Sequence, residues 1–443
     1  ACGQHLRQAR PAALGGRQPP GARGPALPRV LSRGPRPRRR PTAPTAAAVL
    51  ATALLAALTA CSSDAPAEAP AASGQNAEQK NDSGDKPSKF FDRAEYDRQL
   101  TLSGQTPKGP AARPWEQMLA PKMADTARYR KKGEADDVDL CFSNAGVFNP
   151  WRQVGLKNMK AEVELHDEID DFTVLDAQGK DDKQISDIQE LAGNKDCDAL
   201  IVSPNTTATL TPAVKEACGK LPVIVFDRGV ETDCAVTFIN PIGGYGYGAV
   251  AADFLVDEVK PKGKILALRI SPGVDVLETR WSAAKLAFEK SELDVVDVKF
   301  TDGDPAKTKS VVSDAIARHG AIDGVWMDSG ATAVAAVEAF EDSGADVPPI
   351  TGEDQQDFLE TWKDKKLTAI APTYPTFQWR TPVIAALRIL KGEQVPKEWK
   401  LPQPTVTEDN LDDYLQDGMP PLHYAMCGCQ KLPGFPGAWG GKK

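Results

Sequence analysis

Histidine is scarce in this chain, four in 443 residues, and the sites built from it are missing too. No His-Glu-x-x-His pair is present to hold a hydrolytic zinc, and no His/Cys spacing suggests a zinc site. No phosphate-cradling P-loop and no Gly-x-Ser-x-Gly nucleophile elbow is found. Ser282-Ala283-Ala284-Lys285 fits Ser-x-x-Lys but lacks its Ser-Asp-Asn and Lys-Thr-Gly partners, so the match is chance. Gly244-Tyr245-Gly246-Tyr247-Gly248 places its third glycine too early for a dinucleotide loop; its expected task is close helix packing. These absences argue against an enzyme, a metal site and a bound cofactor. His166, His319 and His423 are isolated and read as structural or surface residues. The apolar run Ala46–Ala60 falls short of the roughly 20 residues that span a bilayer. Acidic residues are wholly absent from 1–60, which hold ten arginines.

Arg36, Arg38, Arg39 and Arg40 precede that apolar run, and small residues close it. A basic region, a short apolar region and small residues make a secretory signal. The ending Leu58-Thr59-Ala60-Cys61 resembles the lipobox of bacterial lipoproteins. That resemblance implies cleavage before Cys61, a lipid on its thiol, and anchoring to the outer face of the cell membrane. An ordinary secretory signal is the alternative, and it also places the folded part outside the cell. Beyond the leader 1–60, residues 61–443 carry 43 basic and 61 acidic residues, a formal charge of −18. So acidic a chain is a poor partner for nucleic acid.

Residues 61–89 are rich in Ala, Pro, Ser, Asp and Lys and read as a flexible tether. Residues 90–135 form a polar N-terminal extension with expected helices at Phe91–Leu100 and Trp115–Arg130. From Val138 to Ala371, short apolar runs alternate with helically spaced segments. The runs include Val138–Phe142, Ala199–Val202, Val223–Phe226, Ile265–Leu268, Val325–Met327 and Ala369–Ala371. Thr211-Pro212 reads as a helix start. This alternation predicts α/β architecture, with parallel sheets covered on both faces. Its length predicts two doubly wound lobes joined by a hinge of three chain crossings. The expected first lobe is 136–242 and 374–395, the second 243–373 and 396–407, and a C-terminal tail 408–443 follows. Six cysteines lie beyond Cys61, an even number that suggests disulfides in an exported chain. Cys197 and Cys218 each precede a predicted strand and are expected to pair. Cys427-Gly428-Cys429 reads as too tight for an internal bridge.

Open parallel sheets bind ligands beyond the carboxyl ends of their strands. The residues found there are Phe148, Asn149, Trp151 and Arg152; Asp227 and Arg228; Arg280; Asp328 and Ser329; Asp354; and Tyr374. Each hydroxyl of a polyol both donates and accepts, so a sugar needs carboxylates, amides and guanidinium groups around its rim. Its apolar faces suit flat aromatics such as Phe148 and Trp151.

On these residues the chain resembles the ribose-binding-protein-like class of solute-binding proteins that serve ABC sugar importers. The resemblance runs from about Val138 to Val406. Val223-Ile224-Val225-Phe226-Asp227-Arg228 resembles the family strand whose Asp-Arg end grips sugar hydroxyls. Asn149-Pro150-Trp151 resembles its Asn-Pro-aromatic turn, implying a polar contact from Asn149 and stacking from Trp151. Arg280 matches the arginine in the first helix of the second lobe, and Asp354 the acidic residue after a Gly-Phe-Asp strand, here Gly-Glu-Asp. Ser329 stands where the family often has Asn, with Asp328 beside it. Tyr374 falls near a hinge glutamine that this chain lacks, and Arg152 replaces a second stacking aromatic. The resemblance implies a monomer that captures a sugar or polyol by hinge closure and delivers it to the membrane subunits of an ABC permease. A receptor sensing a sugar or autoinducer for a membrane kinase or chemoreceptor is the alternative. A sugar-responsive repressor needs an N-terminal helix-turn-helix, and the leader and the acidic balance argue against it; a glycoside hydrolase is the remaining rival.

Overall fold

Val223–Phe226 is apolar at all four positions and buried at all four, as a strand covered on both faces must be. The same rule builds the rest of the chain. The computed structural model describes residues 90–119, 121–131 and 137–442. The leader, Cys61 and the tether 61–89 lie outside the described residues.

The extension carries α1 (Arg93–Ser103) and β1 (Met123–Ala124). The first βα series runs β2 (Val138–Asn144), α2 (Pro150–Val163), β3 (Ile169–Asp176), α3 (Asp181–Gly193) and β4 (Ala199–Ser203). It continues with α4 (Thr207–Cys218), β5 (Val223–Phe226) and β6 (Thr237–Pro241). The second opens with α5 (Gly244–Glu258), β7 (Lys264–Arg269), α6 (Asp275–Lys290), β8 (Asp294–Phe300) and α7 (Pro305–His319). Then come β9 (Gly324–Met327), α8 (Ala333–Asp342), β10 (Ile350–Thr351), α9 (Gln356–Lys365) and β11 (Ala369–Pro372). The chain closes with α10 (Thr381–Leu390), β12 (Val395–Pro396), β13 (Glu398–Leu401), β14 (Thr405–Val406) and α11 (Leu411–Tyr414).

One six-stranded sheet is ordered β13-β6-β5-β4-β2-β3 and is parallel throughout. The other is ordered β14-β11-β10-β9-β7-β8, with only β14 antiparallel. Each sheet buries both faces under helices: Phe142, Phe226, Trp379 and Ile389 lie in one core of the first lobe, and Leu266, Phe340, Phe358 and Trp362 in one core of the second. The chain passes between sheets after β6, after β11 and after β13.

Several expectations are corrected. No α-helix forms over 115–130; Pro114–Glu116 and Ala127–Tyr129 are single 3-10 turns flanking β1. Their polar side chains leave no continuous apolar stripe for a helix to bury. Helix α4 starts four residues before Thr211, whose hydroxyl bonds back to the Thr207 carbonyl, so Pro212 lies inside it. Residues 398–401, assigned by sequence to the second lobe, pair with β6 of the first. Cys197 bonds Cys141, because Cys141 lies in β2, Cys197 just precedes β4, and those two strands are neighbours. Cys218, at the end of α4, bonds Cys234 just before β6. Cys427 and Cys429 do bond each other; Gly428 between them, at φ 61°, lets the chain curl.

Candidate functional site

Strand β5 ends at Phe226, and Asp227 turns away from it with φ 68°. The Arg228 amide donates to the Phe226 carbonyl across that turn at 2.9 Å. Left-handed backbone is uncommon outside glycine and concentrates where function demands it. Here the turn brings the Asp227 carboxylate to the first turn of α2. That helix is set by Pro150 at its start and by the Asn149 side chain, which accepts from the Arg152 amide at 2.9 Å. Arg152, fully buried, donates to Asp227 Oδ2 at 2.8 Å and to the Ser203 hydroxyl at 3.3 Å. Burial lowers its pKa to about 10 against the pull of Asp227, so it stays a cation at neutral pH.

The second lobe positions Arg280 by close helix packing. A Cβ on Gly244 would lie 2.0 Å from Thr279 Oγ1, and one on Gly248 1.9 Å from the Arg280 carbonyl oxygen. Those glycines therefore let α6 lie directly on α5. Arg280 then donates to the Asp328 carbonyl at 2.6 Å and to Glu353 Oε1 at 3.1 Å. Its guanidinium sits 3.9 Å from the Tyr247 ring centroid and 4.9 Å from that of Tyr374. Asp328, wholly buried, accepts from the Ile270 amide at 2.9 Å and lies 3.5 Å from Arg269. Burial raises its pKa to about 7, with Arg269 and the Ile270 amide pulling the other way. Ser329 bonds Glu353, whose other oxygen accepts from the Tyr424 hydroxyl at 3.4 Å.

Tyr374 joins the two halves. It stands on the crossing after β11, its hydroxyl 3.3 Å from both the carbonyl and Oδ1 of Asp227, its ring beneath Arg280. Its own carbonyl accepts from the Trp151 indole at 2.6 Å. Arg152, Asp227, Tyr374, Arg280, Asp328 and Ser329 are thus brought into one buried cluster drawn from both sheets. The other sequence candidates sit around it. Trp151 is half-buried and packs on Tyr374 and Trp379. Phe148 is 56% exposed, with Arg152 5.3 Å from its ring. Asn149 spends its oxygen on capping, and Arg228 donates to the Asn205 carbonyl. Asp354 accepts from the Met426 amide at 2.7 Å, and burial raises its pKa to about 7.

Sequence reasoning missed Glu353, Tyr247 and Tyr424. Glu353 follows β10 and was a visible strand-end candidate one residue from Asp354. Tyr247 lies in α5, within the glycine-rich stretch whose expected task is helix packing. Tyr424 had no local signal. His423, Cys427 and Cys429 bring ligand atoms within 4.8 Å of one another, but the two sulfurs are bonded and offer no thiolate. A cavity of about 280 Å³ lies at the hinge, lined by Ile242, Gly246, Tyr247, Pro372, Gln403 and Thr405; neither Arg152, Asp227, Arg280 nor Glu353 lines it.

In the cluster and the residues around it, Arg228 Nε on the first lobe and Arg280 Nε and Asp354 Oδ1 on the second have no hydrogen-bond partner among the described residues, and Asp328 Oδ2 has only its ion pair with Arg269. Buried polar groups are rarely left so, and here they come from both sheets. The cluster therefore holds donors and acceptors of the kind that a small polar guest would satisfy.

Residues 140–394 match the model of a periplasmic binding protein domain. The ribose import binding protein of Bacillus subtilis is 30% identical over 231 residues, covering 52% of this chain and 74% of that protein. A xylitol-binding protein of Mycolicibacterium smegmatis is 25% identical over 237 residues, 52% of this chain and 66% of its own length. An ABC transporter solute-binding protein from Thermobispora bispora superposes with a TM-score of 0.59 at 22% identity, covering 69% of this chain and 97% of that one.

Proposed function

The chain belongs to the periplasmic binding protein family, as a type I sugar-binding member, and from that premise we propose that it captures a sugar or polyol outside the cell and delivers it to an ABC permease. In this reading Cys61 carries a lipid that holds the protein at the membrane surface. The lobes close on the guest, and contacts made from both sides only when closed stabilise that state; equal affinity for open and closed forms would shift nothing. Asp227, Arg152, Arg228 and Tyr374 serve from the first lobe and hinge, and Arg280, Asp328, Ser329, Glu353 and Asp354 from the second. Phe148 and Trp151 flank the entrance, with Asn149 holding their turn.

The observation that supports this reading most is the set of buried polar atoms without hydrogen-bond partners contributed by both lobes, Arg228 Nε from one and Arg280 Nε and Asp354 Oδ1 from the other. A hydroxyl both donates and accepts, so one sugar ring satisfies arginine nitrogens and carboxylate oxygens together. Hydrogen bonds to charged groups contribute about 1.5–3 kcal/mol each. A few of them reach the roughly −8 kcal/mol of a micromolar complex after the cost of ordering is met.

Thermal shift against D-ribose, L-arabinose, D-allose, xylitol and myo-inositol tests the proposal. A true ligand at 100 times its dissociation constant stabilises by about 2.7 kcal/mol. Asp227→Ala and Arg280→Ala are expected to abolish the response. Silence from the parent across a wide sugar and polyol panel, or variants that respond like the parent, would overturn it.

A further inference from the structure

We propose that the C-terminal segment Pro420–Trp439 is a fourth connection between the lobes and places Tyr424 in the binding site as a contact residue. This rests on the reading that the lobes open and close around a guest.

The segment changes allegiance partway along. Up to Ala425 its backbone hydrogen bonds go to the second lobe. Tyr424 forms an antiparallel bridge with Gln355. The Gln356 amide donates to the His423 carbonyl at 2.8 Å, the Asp357 amide to Pro421 at 2.9 Å, and the Ala425 amide to Asp354 at 2.8 Å. From Met426 onward it also belongs to the first lobe and hinge. The Met426 carbonyl accepts from the Thr376 hydroxyl at 3.3 Å, and the Cys427 carbonyl from Asn158 Nδ2 at 3.1 Å. The Gly428 carbonyl accepts from Arg380, and the Trp439 indole donates to Asn158 Oδ1 at 2.9 Å. Gly428 itself is pressed on the first lobe: a Cβ there would lie 2.6 Å from the Trp115 ring and 3.0 Å from Phe377 Cβ.

Ala425 and Cys427 are thus held by different lobes with one residue between them. A chain advances at most about 3.6 Å per residue, so the link has almost no slack. Nor does the far end flap: Tyr424, Cys427, Cys429, Leu432 and Trp439 bury one another against Val154 of α2. Separation of the lobes must therefore release one set of bonds. Tyr424 sits at the changeover, 1% exposed, with its hydroxyl on Glu353 Oε2. It reports the state of the link directly to the residue that holds Arg280.

Hydrogen–deuterium exchange on the protein without sugar tests the link, using one variant at each anchor. Ala425→Pro removes the amide bonded to Asp354; position 425 begins a 3-10 turn and Tyr424 before it is extended, both compatible with proline. Gly428→Ala drives a methyl into Trp115. If either variant fails to fold, Trp439→Phe, which removes the indole donor to Asn158 and trims part of a buried ring, replaces Gly428→Ala, and Tyr424→Phe replaces Ala425→Pro. A link needs both anchors, so each single variant is expected to speed exchange of cleft amides on both lobes about tenfold, and the double no further. Local loosening confined to each variant's own lobe, with additive effects, overturns the link. Tyr424→Phe should also weaken the sugar found by thermal shift about fivefold, and unchanged affinity overturns the contact role. A parent that binds no sugar defeats the transport reading alone, since the exchange result needs no ligand.

Discussion

At the scale of single residues, Asp354 is the carboxyl group most at odds with its surroundings. It is fully buried, it accepts one amide, and its pKa is raised to about 7. A raised acid is favoured neutral, so its contribution to stability is full below the unfolded value near 4 and is lost as pH rises to about 7. Asp354→Asn keeps the acceptor for Met426 without the charge. Between pH 4 and 7 the variant is expected to gain on the parent by up to about 4 kcal/mol, read from denaturant unfolding at each pH. A gap that does not change with pH would refute this. His423, whose pKa burial lowers to about 4, works in the opposite direction in both proteins and cancels from the difference. At this scale the sequence was partly legible. Asp227, Arg152 and Arg280 were visible because strand ends and helix starts are marked by composition. Glu353 stands beside Asp354 after the same strand, but its place in the site depends on Arg280 and Tyr424 approaching from distant segments, which no local pattern records.

At the scale of elements, the pair α5 and α6 carries the argument. Arg280 reaches the cleft only because Gly248 lets its carbonyl approach the neighbouring helix. Gly248→Ala forces α6 outward. We expect a loss of about 1–3 kcal/mol from overpacking, measured by denaturant unfolding, together with weakened sugar binding through displaced Arg280. Stability lost with affinity intact would show that Arg280 tolerates the shift. Elements with strong apolar runs were legible: Val223–Phe226 has the same limits in sequence and structure. Helix α9 was not, because Gln356–Lys365 is mostly polar and buries only Phe358, Leu359, Trp362 and Gln356. The short strands β12 to β14 were equally silent, since two to four residues carry too little pattern to stand out.

At the scale of the whole molecule, the disulfides are unevenly spread. Cys141–Cys197 and Cys218–Cys234 both lie in the first lobe, and no disulfide lies within the second among the described residues. Removing a native disulfide typically costs about 2–5 kcal/mol. Cys141→Ser with Cys197→Ser should therefore lower the first lobe's unfolding temperature in calorimetry, while the second lobe's transition stays in place. A uniform fall of both would mean the lobes unfold as one unit. Pairing was beyond the sequence because it depends on which strands are neighbours, and strand order is set by three-dimensional packing. The twofold lobed plan was legible, because alternating strands and helices at that length leave few arrangements.

The cleft gathers four guanidinium groups, Arg152, Arg228, Arg269 and Arg280, against four carboxyl groups, Asp227, Asp328, Glu353 and Asp354. Glu278 pairs with Arg269 as well, and burial raises Asp328 and Asp354 to about 7, so the charge left on the cluster near neutral pH depends on how far those two carboxyls ionise. In the proposed role, that near-balance is open to retuning: exchanging a carboxyl for its amide would add positive character to the cluster and favour sugar acids, and losing an arginine would favour amino sugars. A change of preferred guest would then need a single substitution, on a scaffold that stays as it is.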